Sequence, residues 1–90
     1  MAKILVTPQQ LDEIGEQFLT ASEQNLAMSK KLRGLVDGLH GEWEGVSQER
    51  FYQSYTDAHL QLDNVSAMLK EVADELMAIA TRFRTVDEGK

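Results

Sequence analysis

Apolar residues return along this chain in steps of three and four. From Leu11 the series runs through Ile14, Phe18, Ala21, Asn25, Met28, Leu32, Leu35 and Leu39, with Asn25 as its polar member. It resumes at Phe51 and continues through Tyr55, Ala58, Leu62, Val65, Leu69, Val72, Leu76, Ile79, Phe83 and Val86, with no charged position. Such spacing keeps one face of an α-helix apolar and predicts two long amphipathic helices of heptad character. Thr7, Pro8 and Gln10 fit the N-cap, N1 and N3 places of a capping box, so the first helix should begin there. Gly38 and Gly41 are able to stop it. Ser47 is the expected cap of the second helix, which no proline or glycine interrupts before Gly89. The expected layout is one domain, 1–90: helix one over about 8–39, a turn over about 40–46, helix two over about 47–86, and a frayed tail.

Two long helices joined by so short a turn must fold back as an antiparallel hairpin, an all-α fold. At about 1.5 Å per residue they would span roughly 48 and 60 Å. The end of helix two should therefore overhang the start of helix one, leaving Ile79, Phe83 and Val86 to be covered by Ile4, Leu5 and Val6 or by another molecule. The apolar stripes are also wide. Leu19, Leu26 and Val36 directly follow members of the first series, and Tyr52, Ala73 and Ala80 members of the second, more than one neighbouring helix requires. Pairing two hairpins into a two-fold four-helix bundle would bury that surface. The residues expected at the dimer interface are Leu11, Phe18, Asn25, Leu32, Tyr55, Leu62, Leu69, Leu76 and Phe83. Asn25 would there be a register-setting polar pair or a seam-edge residue that reaches solvent. In a head-to-tail dimer, Trp43 of one chain and Phe83 of the other become neighbours.

Composition narrows the functions. The 90-residue chain has no cysteine, which removes disulfides, thiolate metal sites and a cysteine nucleophile. Its formal charge of −6, from 15 acidic and 9 basic residues, disfavours non-specific binding to nucleic acid or an anionic membrane. The N-terminal apolar run Ile4-Leu5-Val6 is too short for a signal-peptide core or a membrane span, so a soluble protein without a cleavable signal is expected. His59 and Asp63, four apart on a helix, are too few ligands for a metal site, and His40 and Glu42 add none. Asp12, Glu13, Glu16, Glu71, Asp74 and Glu75 lie where helix starts and solvated faces expect them. No catalytic residue, metal ligand or cofactor-binding residue is expected, and the chain does not read as an enzyme.

A chain of about this length, with two heptad helices and a central Trp43-Glu44-Gly45, resembles the WXG family of small proteins exported by type VII (ESX) secretion systems. The resemblance spans the whole chain, including the Thr-Pro start of helix one. It implies a folded hairpin dimer that leaves the cell without a cleaved signal peptide, through a membrane complex driven by an FtsK-type ATPase. It also implies a two-part export signal: the turn, here Trp43 and Gly45, and a tail at the place of the family's Tyr-x-x-x-Asp/Glu, which here reads Phe83-Arg84-Thr85-Val86-Asp87, with Phe83 where the family more often has Tyr. Phe83 keeps the ring of that tyrosine and loses its hydroxyl. The partners implied are a second copy or a related chain, the secretion ATPase and other secreted substrates; a membrane is met only through the machine. A membrane-active effector and a helical adaptor retained in the cell are the alternatives. Without the resemblance, Trp43 is a packing anchor that closes the hairpin, and Gly45 supplies a backbone conformation that residues with a Cβ disfavour.

Overall fold

A computed structural model of the chain describes residues 6–39 and 41–88. Two helices make up the fold, α1 (Pro8–Gly38) and α2 (Val46–Glu88). They lie antiparallel as a hairpin of 68 × 23 × 16 Å. The capping box forms as expected: the Thr7 hydroxyl accepts from the Gln10 N–H at 3.1 Å, and the Gln10 side chain accepts from the Thr7 N–H at 2.8 Å. At the other junction α2 begins at Val46, one residue before the expected span, so Ser47 lies inside the first turn rather than capping it. Gly45 flanks the helix instead, with φ 113°, and its carbonyl accepts from the Glu49 N–H at 3.1 Å. A Cβ at that φ would crowd the backbone, which is why glycine stands there.

The seam between α1 and α2 differs from the apolar series. On α1 the buried positions are Leu11, Gly15, Ser22, Ser29 and Val36. On α2 they are Ser66, Ala73 and Ala80, the last two with 0% of their surface exposed. Half of each expected series does line this seam, since Phe18, Asn25, Leu62, Leu69, Leu76 and Phe83 are half-buried. The other half does not. Ile14, Met28 and Leu35 of α1 are exposed, as are Val65, Val72 and Val86 of α2, with Leu35 at 62%. Their places in the seam are taken one residue further on, by Gly15, Ser29 and Val36 on α1 and by Ser66 and Ala73 on α2.

Small residues allow this because they let the helices come close. A Cβ built on Gly15 would sit 3.3 Å from the Ala73 carbonyl oxygen and 3.2 Å from Met77 Cγ, so the α1 backbone rests directly on α2 there. Burying serines costs little when their hydroxyls are bonded. Ser22 Oγ donates to the Ser66 carbonyl at 2.7 Å, and Asn25 Nδ2 donates to the Leu62 carbonyl and to Ser66 Oγ, each at 2.7 Å. Asn25 thus sets register inside the hairpin, where its donors are satisfied by the same chain. Among the described residues no buried side-chain nitrogen or oxygen lacks a partner.

The Ser22–Ser66 contact also fixes the overhang. Counted outward from it, Pro8 lies level with Ala80, and about the last two turns of α2 run past the start of α1. Ile79 lies within the paired region rather than beyond it, which corrects the sequence expectation. Phe83 is half-buried, and Val86 is 65% exposed. Of the segment proposed to cover them, Ile4 and Leu5 lie outside the described residues, and Val6 is exposed.

Candidate functional site

Three features stand out: the turn, the far end of α2 and the apolar row left open between them. The turn is tight. The Leu39 N–H donates to the Val36 carbonyl and the Glu42 N–H to the Leu39 carbonyl, both at 3.0 Å, and Gly45 then admits the chain to α2. These bonds carry Trp43 back over the start of α2. Its ring lies 5.5 Å from that of Phe51, tilted by 40°, within the range of favourable aromatic pairs. The indole is nevertheless 37% exposed, so it closes the turn and still presents a face to solvent. Phe51 is the residue the sequence reading did not join to Trp43; starting α2 at Gly45 rather than Ser47 would have brought them together.

At the opposite end Phe83 is half-buried near the start of α1, and Asp87 falls in the last turn of α2, its side chain outside the described residues. Within one chain the long hairpin keeps Phe83 far from Trp43. A residue that sequence reasoning passed over joins the ends of the helices here: Arg84 Nη2 donates to Asp12 Oδ2 at 2.6 Å. Only the register of the hairpin identifies that pair.

Arg84–Asp12 and Met77–Gly15 mark one edge of the hairpin. Heptad geometry sends the open row out from the other edge, with Ile14, Met28 and Leu35 on α1 facing the same side as Val65, Val72 and Val86 on α2. The expected interface residues Leu11, Phe18, Asn25, Tyr55, Leu62, Leu69, Leu76 and Phe83 lie along the seam beneath that row, buried or half-buried, and Leu32 is 38% exposed. The row thus adds a set of large apolar positions that the sequence reading had assigned to the seam.

His59 and Asp63 belong to a cross-helix knot. Ser29 Oγ donates to Asp63 Oδ1 at 3.0 Å and meets His59 Nδ1 at 3.0 Å, while His59 Nε2 lies 3.3 Å from Asp63 Oδ2. The Tyr55 ring packs 5.7 Å from the imidazole. Burial pushes the Tyr55 phenol above its ordinary value of 10.0; Arg33 opposes this, and Asp37, Tyr52 and Asp63 add to it. A serine, a histidine and an aspartate in contact suggest a nucleophile, but Ser29 is 1% exposed and its hydroxyl donates a hydrogen bond to the carboxylate. It is held as a tie between the helices, with no access for a substrate. Among the described residues no three His, Cys, Asp or Glu side chains group as a metal site, and no helix is long and apolar enough to cross a membrane.

The comparisons with known proteins agree with this shape. The family model described as proteins of 100 residues with WXG matches residues 3–88. Protein YukE of Bacillus subtilis (strain 168) is 27% identical over 85 residues, covering 94% of this chain and 88% of its own. Among solved structures, the secreted protein EsxB of Bacillus anthracis str. Sterne superposes with a TM-score of 0.86 at 28% identity, covering 97% of this chain and 99% of that one. EsxA of Geobacillus thermodenitrificans gives a TM-score of 0.83 at 28% identity, covering 97% and 95%.

Proposed function

Because the chain belongs to the WXG100 family, we propose that it is a small substrate and co-factor of a type VII secretion system, exported as a folded pair of hairpins and acting through protein–protein contacts. The observation that carries this reading is the turn, where Trp43 and Gly45 sit at the reversal of a complete hairpin and the indole stays partly exposed. A side chain needed only as a stopper would gain by being covered.

The open row supports the pairing. A lone hairpin leaves Ile14, Met28, Leu35, Val65, Val72 and Val86 in water, and exposed apolar patches of that extent mark interaction sites. A second copy offers the same row, and a two-fold axis needs one self-complementary patch. With the hairpins head to tail, the Trp43 turn of one chain approaches the Phe83 to Asp87 tail of the other. The two parts of the export signal would then form one surface for the secretion ATPase.

The test is secretion. Wild-type protein is expected in the culture medium and absent from it when the FtsK-type ATPase is deleted. Trp43→Ala is expected to lower export by more than its effect on melting temperature accounts for. Retention of the wild-type protein beside an active machine would overturn the reading and support a cellular adaptor.

A further inference from the structure

Past Ala80, which is fully buried, α2 outruns α1, and Phe83 is the last half-buried apolar residue of its seam. Thr81, Thr85 and Val86 face solvent. The Thr81 hydroxyl donates to the Met77 carbonyl and the Thr85 hydroxyl to the Thr81 carbonyl, both at 3.0 Å, bonds that stay within α2 and set no direction relative to α1. Among the described side chains one ion pair crosses between the helices, Arg84 to Asp12; the His59–Asp63 contact lies within α2. Arg84 and Asp12 are 72 positions apart in sequence, so this contact exists only in the closed hairpin.

The geometry points to Asp12 as a positioning residue for the C-terminal tail: by holding Arg84 it fixes how the turn that carries Phe83 lies against the start of α1, and so makes presentation of the tail conditional on a folded hairpin. The functional part rests on the export reading above; the structural part does not. Arg84 adjoins Phe83, so the guanidinium anchors the helix at the end of the seam, where that half-buried ring lies. A charge-assisted contact of 2.6 Å is short and directional. Both side chains are about one-third exposed, at 40% and 34%, so the tie is weak enough to act on the last turn without deciding the fold.

Amide hydrogen exchange on the purified full chain tests the structural part. Asp12→Asn and Arg84→Gln are each expected to speed exchange over residues 83–88 about threefold, as loss of a partly exposed ion pair allows, with exchange around Ser66 unchanged. The double variant should be no faster than either single one, and about 1 M salt should bring wild type to the variants' rate. Additive effects, or no change over 83–88, would overturn the assignment. Secretion tests the functional part. Asp12→Asn should be exported less than wild type at an equal melting temperature, with Asp12→Glu restoring export. Wild-type levels of Asp12→Asn in the medium, with its tail loosened, would overturn conditional presentation. If wild-type secretion proves independent of the ATPase, the export reading fails, and the exchange result still decides the positioning role.

Discussion

The inner seam and the open row of this hairpin lie one residue apart along each helix and are built on opposite principles. Gly15, Ser22, Ser29, Ser66, Ala73 and Ala80 hold the two helices together by close approach and hydrogen bonds. Ile14, Met28, Leu35, Val65, Val72 and Val86 are larger and apolar, yet they face outward. Small residues bury little apolar area apiece, so at those positions the seam specifies geometry, and Leu11, Phe18, Leu62, Leu69 and Leu76 beside them supply its apolar area. The open row is apolar surface that a single chain leaves uncovered. Under the proposed pairing, the hairpin is half of a core.

The largest effect should come from charging the open row. Met28→Asp with Val72→Asp is expected to weaken self-association at least about a hundredfold, since carboxylates buried without partners cost several kcal/mol. Sedimentation of the double variant should give single chains, and its helical circular dichroism at micromolar concentration should fall as pairing is lost. The same substitutions would be nearly silent if the row were an ordinary solvated face.

Overpacking the seam should come next. Gly15→Leu has no room at Ala73 and Met77 and is expected to destabilise by about 1–3 kcal/mol, lowering the melting temperature by several degrees. Gly15→Ala sharpens the comparison. Alanine gains roughly 1 kcal/mol of helix propensity, while its methyl presses on Met77 Cγ at 3.2 Å, which can move, and on the Ala73 carbonyl oxygen at 3.3 Å, which offsets part of that gain, so the net change should be within about 1 kcal/mol.

How far these two regions were legible in the sequence differs. The helices, the capping box at Thr7 and Gln10 and the hairpin followed from periodicity and local chemistry, which act over a few residues. The inner seam did not, because reading by hydrophobicity selects Ile14 over Gly15 and Met28 over Ser29. A heptad of small residues becomes visible only when the register of two helices is known. Leu11, Phe18 and Asn25 of the first series and Leu62 and Leu69 of the second do line the seam, while the face taken by the larger residues beside them was not read correctly. Of the candidate signal, Trp43 and Gly45 were marked by residue type at a turn. Asp12 and Arg84 were not, since their pairing depends on where α2 lies along α1.

Smaller effects separate the seam's hydrogen bonds from its packing. Ser29→Ala removes the donor to Asp63 and the hydroxyl beside His59, and should cost about 1 kcal/mol in urea unfolding with an unchanged slope. Thr7→Ala breaks the capping box at the start of α1, away from both regions. It should also cost about 1 kcal/mol or less, with no effect on self-association.

The mass of the wild-type chain in solution at micromolar concentration, measured by light scattering or sedimentation equilibrium, tests the two-region picture most directly. Twice the 10.1 kDa of one chain is expected, with dissociation only when the open row is charged. A stably folded particle with the mass of one chain would show that the exposed apolar row needs no second hairpin, and would contradict the central claim.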